Sequence, residues 1–274
     1  MKKTLSILLS LFLVFTLYGC SNESDDSTLE NIEVFNEDDY SIIISSFTSE
    51  DEQFLFNLDI ENKTDNVDYT VEIDYFIINN IMIDCGYIVT LESGNSSSYE
   101  IDSDLFMNEI YDSISSISQL EMKFIIYDNP NYLSIIDETS ITLYPYGEEE
   151  AYDYEYIVGD ADILIVDEDD FTWAITSIDE EEIYGDSLSI YLENNSDEDV
   201  YFHIVSGTIN NIEADPLYVY RVNSGCVALG EFTYDIDILD KNNITSIEEI
   251  TYDIEIYNLN DQVVYEDTFT LTLN

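Results

Sequence analysis

The chain is poor in basic residues. It has 6 lysines and arginines against 61 aspartates and glutamates in 274 residues, which gives a formal net charge of −55. Because proteins bind nucleic acid mainly through lysine and arginine contacts to phosphates, this scarcity excludes nucleic acid as a partner. The acidic excess favours cationic partners such as metal ions, polyamines and basic peptides. The alternative is that the acidity only keeps the protein soluble and clear of anionic surfaces.

Cysteine and histidine are also scarce. The chain has three cysteines and one histidine, His203, with no CxxC and no Cys/His pair, so no structural zinc site is expected. His203 would be the only base for a Ser-His-Asp triad, and neither a Gly-x-Ser-x-Gly elbow nor a glycine-rich phosphate loop is present. Carboxylate pairs suited to glycoside hydrolysis carry little information, because 61 acids meet any spacing rule by chance. We predict that the protein is not an enzyme and has no cofactor.

Proline and glycine number only 3 and 9, so turns must rely on asparagine, aspartate and serine. Hydrophobic residues make up 45% of the chain and aromatic residues 14%. Disordered chains have few of either, so a folded chain is expected despite the charge. The abundance of isoleucine, tyrosine, valine, threonine and phenylalanine favours β-strands.

The first twenty residues have the pattern of a secretory signal. Lys2 and Lys3 precede an apolar run over 4–18, which is shorter than the roughly 20 residues of a membrane-spanning helix. The run ends in Gly19-Cys20 and resembles a bacterial lipoprotein signal, in which the cysteine receives diacylglycerol, although Tyr18 is unusual in such a motif. We therefore expect a signal peptide over 1–19 and lipidation of Cys20. An ordinary secretory signal and an uncleaved anchor helix are the alternatives.

The remainder of the chain is written twice. Matching segments recur at an offset of about 131 residues, and internal repeats of this kind decide the fold of a chain. Five ordered matches at one offset identify a duplication. The matching segments are 34–41 with 165–172, 58–65 with 190–197, Ile78–Ile81 with Ile209–Ile212, Ser93-Gly94 with Ser224-Gly225, and the apolar positions of 114–127 with those of 244–257.

Within each repeat, apolar and polar residues alternate with the period of a half-buried strand, as in 120–126 and 250–256. About seven short strands per repeat predict an all-β chain of two tandem immunoglobulin-like β-sandwich domains. Ile114 and Ile117 are spaced by three, which predicts a short helical turn before the strand at Leu120. After the signal peptide, the predicted segments are an acidic tether over 20–30, repeat 1 over 31–145, an acidic tyrosine-rich linker over 146–158 and repeat 2 over 159–274.

Both repeats keep an acidic cluster just before a strand. Asp38 and Asp39 stand in the first copy and Asp169 and Asp170 in the second, and carboxylates in a turn are candidate ligands of calcium. Weak Ca²⁺ binding is therefore one hypothesis for these four aspartates. A solvated turn is the alternative.

Other residues have simpler interpretations. Cys85 and Cys226 align with Pro216 and Asn95 in the opposite copy, so no disulfide is built into the repeat. His203 lies in a predicted strand as a surface or rim residue, with its counterpart near Val71. The aromatic residues Trp173, Tyr218 and Tyr220 could stack on a sugar, or could simply pack across a sheet.

The repeated motifs resemble a family of immunoglobulin-like repeats. These motifs are the Glu-Asn-(Asn/Lys)-(Ser/Thr)-Asp turn, the Asn-Asn-Ile and Ser-Gly segments, and the Ile-x-x-Ile-x-x-(Leu/Ile) entry to a strand. Such repeats occur, often in tandem, in lipoproteins and membrane-anchored surface proteins of Firmicutes. One departure is that Asn79-Asn80 and Asn210-Asn211 stand where Asn-Gly is expected, although asparagine also tolerates positive φ. The resemblance implies a fold and a location but no catalytic residue.

The expected role is a lipid-anchored binding or interaction module on the extracytoplasmic face of the bacterial cell membrane. Its partner would be a protein, a peptide or a cationic ligand, held at exposed sheet edges or at the linker. The alternatives are a structural spacer and an acidic surface protein that binds divalent cations weakly. A long exposed edge strand kept in both repeats would favour binding, whereas a smooth acidic surface would favour the spacer.

Overall fold

A computed structural model of the protein describes residues 27–50, 53–106, 114–128, 134–159, 161–179, 187–214, 218–233, 239, 241, 242, 244 and 246–273. Nearly all of the regular structure in these residues is β, which confirms the predicted all-β class. The chain forms two compact units. Unit 1 holds the described residues up to Asn79 and Ile83–Asp153, and unit 2 holds Asn80–Met82 and Tyr154–Asn274.

Unit 1 is a β-sandwich of two antiparallel sheets. The first sheet has the strand order β1-β2-β3-β6 and the second the order β8-β7-β4-β5. Aromatic rings from the two sheets meet in the core, since Tyr40 contacts Tyr69 and Phe54 contacts Phe76 edge to face. The strands are β1 Ser27–Asn36, β2 Tyr40–Glu50, β3 Gln53–Asn62, β4 Tyr69–Ile78, β5 Ile81–Leu91, β6 Ser96–Asp102, β7 Leu120–Asp128 and β8 Ile135–Leu143.

Unit 2 repeats this arrangement except at the position of β5. One sheet has the order β15-β11-β10-β9 and the other the order β13-β12-β16-β17, with β14 also paired to β12. Here the short β13 and β14 replace the single strand β5. Phe202 meets Trp173 and Phe171 between the sheets. The strands are β9 Ile163–Asp167, β10 Phe171–Asp179, β11 Ser187–Asn194, β12 Val200–Ile209, β13 Ile212–Glu213, β14 Tyr218–Val222, β15 Cys226–Thr233, β16 Glu249–Asn258 and β17 Val263–Thr272.

The alternating sequence pattern explains which side chains form each core. In β3 and β16 every second residue is buried while the intervening ones are partly or fully exposed, as expected for strands that cover a core on one face. The two-residue turns between β4 and β5 and between β12 and β13 have positive φ at Asn79, Asn80, Asn210 and Asn211. Paired positive φ values are typical of a type I′ hairpin turn, so the expected tolerance of asparagine there is confirmed.

Two local predictions differ from the structure. β1 begins at Ser27, inside the stretch predicted as a tether over 20–30, because Ser27–Glu30 pair with Ser46–Ser49 of β2. The expected helical turn before β7 is also wrong: residues 114–119 have no regular structure, although Ile114 and Ile117 are buried. In unit 2 a helical turn at Leu239 and Lys241–Asn242 ends before Ile244, which is half-buried. The isoleucines spaced by three are therefore buried or half-buried, but they do not lie in a helix.

Part of the predicted linker packs within unit 1, and a later part packs within unit 2. Glu148–Glu150 form a 3₁₀ turn. The Tyr152 hydroxyl donates to the Ser116 carbonyl at 2.7 Å, and the Tyr152 amide donates to Ser118 Oγ at 3.0 Å, both within unit 1. Within unit 2, the Tyr156 ring stacks on Tyr191 with 4.5 Å between centroids. These tyrosines therefore extend the packed part of each unit into the linker sequence.

Candidate functional site

The predicted calcium candidates of unit 1 lie in the turn between β1 and β2. Asp38 and Asp39 are exposed there. A lysine already occupies the turn: Lys63 Nζ donates to the Glu37 carbonyl at 2.9 Å and lies 3.4 Å from the Tyr40 carbonyl. The Lys63 amide also donates to the Asp39 carbonyl at 2.8 Å. The main-chain oxygens of this turn therefore face an ammonium group that the chain itself supplies.

The equivalent turn of unit 2 has matching main-chain hydrogen bonds, but Asn195 stands at the position of Lys63. The Asn195 amide donates to the Asp170 carbonyl at 2.8 Å, as Lys63 does in unit 1, but an asparagine side chain brings no charge. Asp169 and Asp170 are exposed. Among the described residues, no group of three or more histidine, cysteine, aspartate or glutamate side chains is placed to hold a metal ion. Calcium binding at these turns stays a prediction, testable by whether calcium raises the melting temperature beyond sodium at equal ionic strength.

The repeated asparagine motifs have structural roles. Asn62 is 1% exposed and donates to the Val67 and Leu91 carbonyls at 2.8 and 3.1 Å, while its side-chain oxygen accepts from Thr64. In unit 2, Asn194 repeats this by donating to the Glu198 and Val222 carbonyls, both at 2.9 Å. Because each asparagine amide donates to two main-chain carbonyls, the asparagine of the Glu-Asn-x-(Ser/Thr)-Asp motif acts as a clamp on the turn.

The Asn-Asn-Ile motif clamps the segment that crosses toward β7 or β16. Asn79 is fully buried, donates to the Ser116 carbonyl at 2.7 Å and accepts from the Ser118 and Gln119 amides. Asn210 holds the corresponding segment of unit 2 by donating to the Ser246 carbonyl at 2.8 Å. These bonds hold residues 114–119 in an irregular conformation where spacing alone indicated a helical turn.

His203 lies on the outer face of β12, half-buried, while Phe202 and Ile204 point into the core, as predicted. Its ring lies perpendicular to that of Tyr257, with 5.9 Å between centroids. The pairings of β4 with β7 and of β12 with β16 make its counterpart Glu72, one position beyond the predicted Val71.

Of the aromatic residues considered for sugar stacking, Trp173 and Tyr218 are buried in the sandwich and Tyr220 is half-buried. Trp173 is fully buried, and its ring contacts both Phe202 and Tyr218. Tyr218 is 7% exposed and stacks on Tyr220 with 6.0 Å between centroids. A platform for a sugar requires exposed ring faces, and the faces of Trp173 are covered. The interpretation as residues packed across a sheet therefore fits these contacts.

Burial raises the pKa of the Cys85 thiol and of the Tyr156 hydroxyl, which favours the neutral form of each. Cys85 and Cys226 are thiols and are not joined in a disulfide. Burial raises the pKa of the Cys85 thiol to about 12, which disfavours the reactive thiolate. Burial and the hydrogen bond to Asp162 raise the pKa of Tyr156 to about 12. Neither group is tuned as a nucleophile or base near neutral pH.

The last strand of each unit is a long edge strand. β8 lies at the end of its sheet beside β7, and β17 at the end of its sheet beside β16, and no described strand pairs with the outer side of either one. Both have mostly exposed or half-exposed side chains. Unpaired edge groups can pair with another extended chain, and β8 in unit 1 and β17 in unit 2 are therefore two separate candidate sites.

Both edge strands begin with a pair of exposed β-branched residues at a bulge. Ile135 and Ile136 are 55% and 41% exposed in β8, and Val263 and Val264 are 43% and 44% exposed in β17. The register shifts between Ile126 and Tyr127 in unit 1 and at the equivalent place in unit 2. Such bulges shield the start of an edge strand from pairing and leave the rest open.

On each edge strand, one main-chain amide already donates to an aspartate side chain. Asp137 accepts a hydrogen bond from the Glu138 amide at 3.0 Å, and Asp267 accepts one from the Thr268 amide at 2.8 Å. Asp137 also accepts from the Tyr40 hydroxyl at 2.8 Å, which ties the edge strand to the facing sheet. Periodicity predicted both strands, but their edge positions follow from sheet order, which the sequence does not state.

Comparisons with known proteins do not identify a function. No family model and no curated protein matches the chain. A solved protein of unknown function from Porphyromonas gingivalis W83 is 11% identical, with 91% of this chain and 100% of that chain covered and a TM-score of 0.22. Red sea bream transglutaminase is 6% identical, with 81% of this chain and 29% of that chain covered and a TM-score of 0.21. At such scores neither similarity carries an argument about this chain.

Proposed function

We propose that the protein is a non-catalytic binding module, tethered by a lipid on Cys20 to the extracytoplasmic face of a bacterial cell membrane. Its two sandwiches, the immunoglobulin-like repeats of the prediction, hold a cationic peptide or protein segment at exposed sheet edges. The observation that carries this proposal is the pair of long edge strands β8 and β17, present at the same place in both units. A spacer has no need to keep an open edge twice, because natural sheets usually block such edges.

The charge of the protein supports a cationic partner. Without Lys2 and Lys3 the chain keeps 4 basic residues against 61 acids, a net charge of −57. Three of the four basic side chains are engaged within their own units: Lys63 on turn carbonyls, Lys123 with Glu138 at 3.0 Å, and Arg221 with Asp199 at 3.2 Å. A basic ligand would therefore meet acids that the protein itself leaves largely unneutralised.

The anchor rests on the sequence. Cys20, the predicted signal peptide and most of the predicted tether lie outside the described residues. No helix in the described part of the chain is long and apolar enough to cross a membrane. A diacyl group on Cys20 would supply attachment by hydrophobic insertion of its chains. Mass spectrometry of the N-terminal peptide from membrane-extracted protein tests this, with Cys20→Ser as the matched control that should lose both the lipid and the membrane fraction.

The binding role is tested on the mature chain with Cys20 replaced by serine. Fluorescence anisotropy would compare labelled peptides of equal length that alternate valine with lysine, with glutamate or with serine. We expect the lysine peptide to bind most tightly and its affinity to fall with added salt, because surface charge interactions are screened. Binding of none of these peptides would contradict the proposal and favour the spacer.

A further inference from the structure

We infer that β17 binds its ligand by strand addition, and that the ligand is an extended peptide with basic residues on the face that meets Glu266 and Glu255. This inference rests on the proposed function and deepens it. The two repeats then have different roles, because β8 lacks a pair of facing glutamates like Glu255 and Glu266.

The backbone of β17 shows which groups are open. The Leu273 amide donates to the Glu248 carbonyl, and Glu249 is opposite Thr272. The main-chain amides and carbonyls of the odd-numbered residues of β17 therefore point toward β16. Since hydrogen-bonding direction alternates along an antiparallel strand, the amides and carbonyls of Glu266, Thr268, Thr270 and Thr272 point away from the sheet. The Asp267 contact to the Thr268 amide agrees with this direction. An added strand would pair first with Thr270 and Thr272.

The outer face beside this edge carries two opposed carboxylates. Glu255 of β16 and Glu266 of β17 are directly opposite in the ladder, at a position where the backbones are not hydrogen-bonded and side chains come closest. Like charges placed so are destabilising. Among the described residues, no ion pair joins a basic side chain to either glutamate. A lysine or arginine on an added strand, about 4.8 Å beyond β17, would lie beside Glu266 and relieve this repulsion.

The other face of the same strand offers apolar contact. Phe269 and Leu271 are opposite Tyr252 and Ile250, which are fully buried in the core, so all four point inward. Phe269 and Leu271 are nevertheless only half-buried, because they stand at the border of the sandwich. Residues of the added strand alternate between the two faces. The preferred ligand therefore alternates basic residues outward with apolar residues inward.

The equivalent position of β8 is already neutralised. Glu138 is opposite Ile125 and forms an ion pair with Lys123 at 3.0 Å. In unit 2, Asp253 takes the place of Lys123 and accepts hydrogen bonds from Ser206 and Thr268. The asymmetry favours β17 over β8 for a basic strand.

The test uses the mature chain carrying Cys20→Ser and the alternating lysine-valine peptide, matched in length to Tyr265–Thr272. Amide hydrogen exchange should show new protection at Thr270 and Thr272 on peptide binding and none along β8. Thr270→Pro removes an outward amide without removing a bond to β16, and proline is tolerated on such edges. We expect it to weaken binding about tenfold, while Thr270→Val, which keeps the amide, binds like the parent.

Separate variants test the contribution of the Glu266 and Glu255 side chains. Glu266→Gln and Glu255→Ile, the second of which copies the residue of unit 1, should each weaken the lysine-valine peptide about two- to fivefold, as exposed ion pairs do. Glu138→Gln in β8 is the matched control and should change nothing. These variants alter surface side chains and keep the binding test independent of whether Thr270→Pro folds.

The outcomes separate the two proposals. Peptide binding that none of the β17 variants alters, or exchange protection that lies outside β17, overturns strand addition and leaves the binding role intact. Failure of the lysine-valine peptide to bind the parent protein overturns this inference, and failure of the whole peptide panel overturns the binding role as well. Dimerisation of the parent through β17, detected by sedimentation without peptide, would identify a second copy as the occupant and overturn the basic-peptide assignment.

Discussion

The two units share their strand order but fill their cores with different residues. In unit 1, Phe76 of β4 is opposite Met122 of β7. In unit 2 the same pair is Gly207 and Tyr252. The aromatic residue of the pair is on β4 in unit 1 and on β16 in unit 2, and the position of β12 that corresponds to Phe76 is a glycine. The comparison teaches that facing core positions differ together, because in unit 2 the Tyr252 ring lies directly against Gly207 and covers the place that the Phe76 side chain takes in unit 1.

The asparagine clamps behave in the opposite way. Asn62 and Asn194 occupy the same place, are 1% and 0% exposed and make matching hydrogen bonds. A valine or leucine of similar size could fill the space but could not satisfy the buried carbonyls. Buried polar groups are therefore the positions at which the repeats kept the residue itself.

The largest expected effect comes from removing the buried asparagine side chain that the two units share. Asn62→Ala and Asn194→Ala should each destabilise the protein by about 3–5 kcal/mol, because two buried carbonyls lose their donor and a turn loses its clamp. Urea denaturation of each variant measures the loss of unfolding free energy. Asn260→Ala, in an exposed turn, is a control expected to change little. A large loss in one unit and none in the other would contradict the structural equivalence of the clamps.

The exchanged core pair gives the second effect. A methyl group at Gly207 would lie 2.6 Å from the Tyr252 ring, so Gly207→Ala should cost about 1–3 kcal/mol through overpacking. The double variant Gly207→Phe with Tyr252→Met copies unit 1 and should be more stable than Gly207→Phe alone. A double-mutant cycle on unfolding free energy measures the coupling. If the changes in unfolding free energy from the two substitutions simply add, the residues at positions 207 and 252 do not compensate for one another.

Alkaline pH tests the tyrosine–carboxylate contacts. Burial and hydrogen bonds to Asp137 and Glu72 raise the pKa values of Tyr40 and Tyr127 in unit 1. Because the folded pKa values exceed the unfolded value of about 10, the stabilisation is complete below pH 10 and is lost as the pH rises through the folded pKa values. We expect the unfolding free energy to fall above pH 10, and Tyr40→Phe to make that fall shallower. An unchanged pH profile in Tyr40→Phe would contradict the assignment.

The smallest effect concerns the acidic turns. Lys63→Met should destabilise unit 1 by less than about 1 kcal/mol, because the lost contacts are exposed. Asn195→Lys should stabilise unit 2 slightly by placing an ammonium group over the equivalent turn. Thermal melts of both variants at low salt check the signs. A stabilising Lys63→Met would show that the ammonium does not support the turn.

Much of the fold was predictable from local patterns. Period-two alternation located strands such as β7 and β16, and the duplication predicted two copies of one sandwich. The helical turn before β7 was mispredicted because Asn79 holds residues 114–119 from another strand, and such a long-range bond leaves no local signal. The candidate site was predicted only in kind, as an exposed edge, because sheet order cannot be read from alternation.

The sequence by itself determined the all-β class, the internal duplication, the acidity and the turn positions, because composition and periodicity act locally. Only the tertiary structure decided which strands stand at the edges, which acids face one another, and which asparagines are buried clamps. These properties depend on which strand lies beside which, and that is settled by packing between segments far apart in the chain.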